Sequence, residues 1–125
     1  MYPDIEIYIK NTSIEDITAW LTSELGTTKD LGIIKSGLHH FTVEYQDKTL
    51  PVMIFPNAVG KAWTSVWFDT ADTPWDDDLT CGTVAAKALE TEVRCTRSGW
   101  TEDQDPDEWT KISATGETED FLWKK

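Results

Sequence analysis

Cysteine is scarce in this chain: Cys81 and Cys95 are the two among 125 residues, they lack CxxC spacing, and neither has a histidine at zinc-ligand distance along the sequence. That argues against a zinc site or a dithiol redox motif, so reduced, buried thiols are expected, with a single disulfide left open for an exported chain. The seven glycines are scattered as turn and cap residues, which leaves no phosphate-cradling loop and no support for a nucleotide fold. No apolar run approaches a membrane span. The start, MYPDIEIYIK, has neither a basic leader nor an apolar one, which leads to the expectation of a cytoplasmic protein. Positive charge is also in short supply: 11 Lys and Arg stand against 23 Asp and Glu, a formal net charge of −12. Such a field repels nucleic acid phosphate and anionic membrane, so neither is expected as a direct partner, whereas basic protein surfaces are attracted. The same charge also keeps an aromatic-rich chain in solution.

What is abundant is indole and carboxylate, both concentrated late in the chain. Residues 1–62 carry 8 acidic and 5 basic groups and residues 63–125 carry 15 and 6, a net −3 against −9. Six of the seven tryptophans follow residue 62. Seven Trp, three Tyr and four Phe supply enough large side chains to build a core, and the length suits one domain spanning residues 1–125.

Periodicity sets the order of elements. Ile5, Ile7 and Ile9 alternate with Glu6, Tyr8 and Lys10, the period of a half-buried strand. Ser13 opens a near capping box with Asp16, and Ile14, Ile17, Trp20, Leu21 and Leu25 follow at helical spacing up to Gly26. Strand-like text then runs from Leu31 to Thr70: LGIIKSG, HHFTVEYQ, a turn at Asp47-Lys48, TLPVMIF and KAWTSVWF, with a meander expected around Pro56-Asn57. VMIF is apolar on both parities, as in a central strand covered on both faces, and Pro51 is expected at that strand's beginning or at a bulge. A second helix is expected from about Asp77 to Leu89, with Val84, Ala85, Ala88 and Leu89 inward. Glu92–Thr96 reads as a strand with Val93 and Cys95 inward, and WTKIS and EDFLW as a closing hairpin. The predicted fold is α+β: a two-layer sandwich with a largely antiparallel sheet of about six to seven strands and two helices on one face.

The stretch GWTEDQDPDEW, residues 99–109, sets five carboxylates between two tryptophans. Asp103, Asp105 and Asp107 match the opening of a calcium loop. The sixth and twelfth places hold Glu108 and Ala114 where glycine and a bidentate glutamate are needed, so no metal is assigned. Acidic abundance alone does not make a catalytic pair, since general acid–base work needs a carboxyl raised by burial. His39 and His40 are adjacent in a strand and point to opposite faces, with His39 on the parity of Phe41 and Val43. Pairing His39 with either thiol as base and nucleophile lacks a recognisable context. No catalytic residue and no cofactor is assigned.

Two readings of the aromatics stay open. If Val66 and Phe68 pack beneath the helices, Trp63 and Trp67 face outward. In the first reading the acidic loop folds back, with Trp100 or Trp109 capping that face as a small second core. In the other, Trp63, Trp67, Trp100 and Trp109 are anchors ringed by Asp103, Asp105, Asp107 and Glu108, a surface for a basic protein partner. By class the chain is similar to small acidic α+β proteins such as immunity proteins that neutralise toxins and chaperones for secreted effectors. Its opening strand and the absence of a final helix set it apart from the chaperones. The leading expectation is therefore a non-enzymatic interaction domain, immunity-like, that binds a basic toxin or nucleic-acid enzyme. The alternatives are a small-molecule binder or enzyme with a pocket lined by Trp63, Trp67 and His39, and a structural module of a larger assembly. Unpaired edge strands also permit a homodimer.

Overall fold

The computed structural model describes residues 4–96 and 107–124. In chain order the elements are β1 (Ile5–Lys10), α1 (Ile14–Glu24), β2 (Thr28–Ile33), β3 (His39–Tyr45), β4 (Lys48–Val59), β5 (Trp63–Phe68), α2 (Asp78–Leu89), β6 (Val93–Thr96), β7 (Glu108–Ile112) and β8 (Thr118–Leu122). The strands form one antiparallel sheet of eight, ordered β2-β3-β4-β5-β1-β6-β7-β8. The architecture is the expected α+β arrangement with a larger sheet, eight strands in place of six to seven, and of LGIIKSG the outermost strand takes Leu31, Gly32 and Ile33. That strand begins earlier than its apolar text suggests, at Thr28, and ends before the turn at Ser36 and Gly37.

The strand alternation decides which residues meet the helices. Ile5, Ile7, Ile9, Val52, Ile54, Val66, Phe68, Val93, Cys95 and Ile112 are all buried in one core with Ile17, Trp20, Leu21, Trp75, Cys81 and Ala85. Ser13 caps α1, its hydroxyl accepting the Asp16 N–H at 3.1 Å, and Asp77 caps α2 by accepting the Thr80 N–H at 2.8 Å. The inward stripe of α2 differs from expectation: Cys81, Gly82, Ala85 and Ala86 are buried, whereas Ala88 is exposed. Gly82 draws the helix in, because a side chain there would begin 2.6 Å from Ile112 Cδ1 and 3.3 Å from Val93 Cγ1. Sequence patterning favoured Val84 over Gly82, but close helix–sheet approach places the smallest residue at the contact.

Two turns move as well. The tight turn between β3 and β4 is Gln46-Asp47, both at positive φ, the geometry that suits two-residue hairpins. Pro56-Asn57 is not a turn but lies within β4, where the register with β5 shifts between Phe55 and Val59. Pro51 sits inside β4, neither at its start nor at a bulge. Its carbonyl accepts the Asp69 N–H at 3.2 Å just past the last β4–β5 pair, Val52 with Phe68. The missing N–H therefore faces the side where the ladder has already ended, which is why proline is tolerated there.

The outer strand β2 carries exposed Leu31 and Ile33, followed by exposed Ile34. It is interrupted at Gly32, φ 95°, whose N–H is taken by Asp30 Oδ1 at 2.7 Å. A bulge and an inward-bonded carboxylate both discourage edge-to-edge pairing.

Candidate interaction surface

The face opposite the helices divides into two halves. Register places Trp63, Ser65 and Trp67 of β5, Glu6, Tyr8 and Lys10 of β1, Arg94 of β6, Trp109 and Lys111 of β7, and Phe121 of β8 on it. On the β6–β8 side the aromatic rings close over one another. Trp123 lies 5.0 Å from both Trp63 and Trp109 by ring centroid, and Tyr8 lies 5.2 Å from Trp109. Into this cluster β6 delivers Arg94. Its guanidinium carbon sits 4.3 Å from the Trp63 ring, 4.5 Å from Trp123 and 4.7 Å from Phe121, and its Nε donates to Glu92 Oε2 at 2.7 Å. A planar cation between ring faces is held by their quadrupoles, and the flat guanidinium stacks on them. The result is a second small core, with Trp63 8% and Trp109 3% exposed.

On the β3–β5 side the same face stays open. Met53 and Phe55 of β4 and Trp67 of β5 are half-buried and floor a groove of about 360 Å³, walled by Leu38 from the β2–β3 turn, with Lys35 and Glu6 at its rim. The turn leans over the sheet: Phe55 Cε1 is 3.9 Å from where a side chain on Gly37 would begin. Trp67 is held in place by its Nε1–H, which donates to Asp4 Oδ2 at 2.6 Å, and the Ser65 hydroxyl donates to Glu6 Oε2 at 3.3 Å. VMIF is thus covered by helices on one face only, and on the other the β2–β3 turn reaches Phe55 without closing over Met53.

The predicted site residues are not all brought together. Trp63 and Trp67 share the outward face as expected, yet Trp63 is packed into the Arg94 cluster while Trp67 belongs to the groove. Trp109 is buried with Trp63. Asp107 and Glu108 are half-buried at the start of β7, where the Asp107 carbonyl accepts the Trp123 N–H at 2.7 Å. Trp100, Asp103 and Asp105 lie outside the described residues. A pocket combining Trp63, Trp67 and His39 does not form. His39 is opposite Ile54 on the helix side, its ring 6.5 Å from Phe41, and it is His40, opposite Met53, that shares the open face. Sequence reasoning missed Leu38, Met53, Phe55 and Arg94. The two-sided apolarity of VMIF was the available signal for the groove. Nothing in the spacing of Arg94 announced that three rings would enclose it.

Strand directions gather acids at one end of the sheet. There β1 begins opposite the end of β5, β3 turns into β4, β5 leads to α2, and β6 leaves while β7 enters. That end holds Asp4, Glu44 and Asp47, then Asp69, Asp72 and Asp76–Asp78, and finally Asp107 and Glu108. Lys48 is bound to Asp72 at 3.1 Å. The opposite end mixes signs, with Lys10, Lys61 and Lys87 among Glu90, Glu92 and Glu117. Among the described residues no cluster of side chains has the makings of a metal site, and no helix is long and apolar enough to cross a membrane.

Asp78, the first residue of α2, reaches between β1 and β6 where their pairing stops. Its Oδ1 accepts the Glu6 N–H at 3.2 Å and its Oδ2 the Thr96 hydroxyl at 3.3 Å. Burial pushes its carboxyl up to about 6, opposed by those two hydrogen bonds and reinforced by the charges of Asp4 and Glu6. A carboxyl that holds its proton more tightly folded than unfolded stabilises the fold fully below its unfolded value near 4, and that contribution is lost as pH rises through about 6. Lowering the pH from neutrality towards 4.5 is therefore expected to raise unfolding free energy by on the order of 1 kcal/mol, after discounting for solvent screening. Urea titrations of the native chain and of Asp78→Asn check this. The substitution should remove that part of the pH dependence, and an unchanged slope would show that Asp78 is not its source.

The thiols are free and buried. Desolvation pushes Cys95 up to about 12 and Cys81 well above the ordinary thiol range, so neither is a nucleophile at neutral pH. Both are also remote from His39, since β4, β5 and β1 lie between β3 and β6, and α2, which carries Cys81, packs on β1, β6 and β7.

The class defined by this geometry is a two-layer α+β domain with one closed and one open half on its exposed sheet face. No family model, curated protein or solved structure matches the chain, so the functional reading rests on its own side chains.

Proposed function

We propose that the protein is a binding module for a basic protein partner, acting by occupying that partner's cationic surface instead of by chemistry. The observation that carries the reading is the convergence of carboxylates from four segments, the start of β1, the β3–β4 turn, the β5–α2 connection and the start of β7, on one end of the sheet, beside an open apolar face. Carboxylates steer and orient a cationic partner over about a Debye length, while apolar area supplies the burial that lasts after encounter. Titratable groups raised by burial at the open face would favour catalysis. Among the described residues the one large carboxyl shift, at Asp78, instead belongs to a side chain committed to the Glu6 N–H and Thr96 hydroxyl. In its finer form the proposal is an immunity-like inhibitor of a toxin or of an enzyme whose own groove takes polyanions. The acids would copy a row of phosphates.

The test uses a short poly-lysine peptide as probe. Binding by calorimetry is expected at low salt, falling about tenfold or more between 0.05 and 0.5 M salt and competed by heparin. Reversing Asp69, Asp72 and Asp76 together to lysine should weaken binding by a similar factor without unfolding the chain, since all three are at or near the surface. Absence of salt-sensitive binding, or binding untouched by the triple reversal, would overturn the reading.

A further inference from the structure

The groove beside the acidic end has a shape and composition that specify more about the partner. Its floor is apolar and open, made by Met53, Phe55 and Trp67, and its wall is Leu38. These side chains are half-buried, and the β2–β3 turn that leans over Phe55 leaves the groove open. Its β1 side is bounded by carboxylates already fixed in position, Asp4 through the Trp67 indole at 2.6 Å and Glu6 through the Ser65 hydroxyl at 3.3 Å. Lys35 stands on the other rim, so the groove runs from a negative margin to a positive one.

We infer that this groove receives one apolar side chain of the basic partner, with a Lys or Arg next to that anchor lying over the Asp4–Glu6 margin. This rests on the basic-partner reading and adds to it the position and chemistry of the anchor. The volume of about 360 Å³ accommodates a leucine- or aromatic-sized group with part of its flanking chain, at the small end of ordinary ligand clefts. Indole and phenyl surfaces suit such an anchor because they are broad and lose little side-chain entropy when covered, and the thioether because it is polarisable and adapts its shape. Charge argues for a cationic partner over a second copy of this chain. A second copy would bring another −12 towards the same margin, and its repulsion would have to be overcome by a shallow groove. An uncharged apolar segment would use the floor without complementing the negative charge of that margin.

The experiment uses two lysine–glycine peptides identical except for a central leucine in one and glycine in the other, titrated into the full chain at low salt. Met53→Gln and Leu38→Gln are titrated in parallel. Both residues are half-buried on the outward side and outside the helix-covered core, and circular dichroism confirms their folding. The leucine peptide is expected to bind about tenfold tighter, the affinity increment of one well-buried aliphatic group. Each variant should reduce that preference to less than about twofold while leaving the salt dependence of the glycine peptide intact. Equal, salt-sensitive binding of both peptides would overturn the groove inference and leave the basic-partner reading standing, whereas failure of both to bind would overturn the two together. Sedimentation of the chain alone provides the remaining outcome. Self-association abolished by Met53→Gln would make a second copy the occupant and overturn the inference.

Discussion

Replacing Gly26 by alanine is expected to destabilise the protein by about 1–3 kcal/mol, the range for forcing atoms into a packed site with no room to yield. Gly26 follows the last turn of α1, its N–H donating to Leu21 O at 3.3 Å, and a β-carbon on it would clash with the backbone carbonyl oxygen of Glu44. A backbone group cannot rotate aside as a side-chain tip can. The Glu44 N–H is also committed, donating to Thr27 O at 2.9 Å, so relief requires moving β3 or withdrawing the end of α1. Equilibrium urea unfolding followed by far-ultraviolet circular dichroism reads the loss. A change under about 0.5 kcal/mol, the usual scale of surface substitutions, would show that the helix end approaches the sheet less closely than described. Sequence patterning identifies Gly26 as a helix stop. Its heavier role, as the point where helix and sheet backbones touch, depends on a strand whose residues come eighteen positions later.

Arg94→Ala is expected to cost about 2–3 kcal/mol and to shift tryptophan emission to the red. The guanidinium contacts Trp63, Trp123 and Phe121, and its Nε holds Glu92, with both charged side chains largely covered at 18% and 25% exposure. A partly desolvated cation–π contact contributes about 0.5–2 kcal/mol, and the three here share one cation, so they do not add in full. Removing the arginine also leaves the Glu92 carboxylate without its partner inside a half-covered site, a further cost. Arg94→Lys keeps the charge but loses the flat stacking surface and should fall between the two, whereas Arg94→Met keeps most of the stem. Parallel urea titrations rank the three. If Arg94→Met equals the native chain in stability and emission, the rings are held by apolar packing alone and the cation contributes nothing. The closed half of the exposed face would then need another explanation for why it is not a second groove.

Both expectations bear on the interaction surface. If the aromatic cluster around Arg94 loosens, the floor of the neighbouring groove loses its support through β5, because Trp63 and Trp67 sit on the same strand face. Binding of the leucine-bearing peptide should therefore weaken in Arg94→Ala even though losing a positive charge by itself favours a cationic peptide, and less so in Arg94→Lys.

Much of the fold was legible from local pattern. The period of two in IEIYIK and HHFTVEY, the serine and aspartate caps, and the hairpin text around Ala114-Thr115-Gly116 each report a constraint that acts within a few residues, so they name their elements without tertiary help. The register of β1 against β5, which turns Val66 and Phe68 inward and Trp63 and Trp67 outward, follows from the same alternation once one side is known to be covered. Reading failed where the deciding contact was distant. Pro51 is tolerated mid-strand because β5 has already ended, Gly82 is buried because Ile112 and Val93 approach it, and Pro56-Asn57 stays in the strand because the ladder resumes at Val59.

By itself the sequence determined the kind of molecule: an α+β chain with a strong negative field, indole-rich in its later half, with no reactive motif. Those properties are sums and periods, and they do not depend on how the strands are ordered. Only the tertiary structure decided which tryptophans are available. Strand order places Arg94 among Trp63, Trp123 and Phe121, consuming one set of rings in a self-contained core, and leaves Trp67 beside Met53 and Phe55 on an uncovered floor. That division arises because side chains far apart along the chain compete for the same cation and the same face, a contest that spacing alone does not settle.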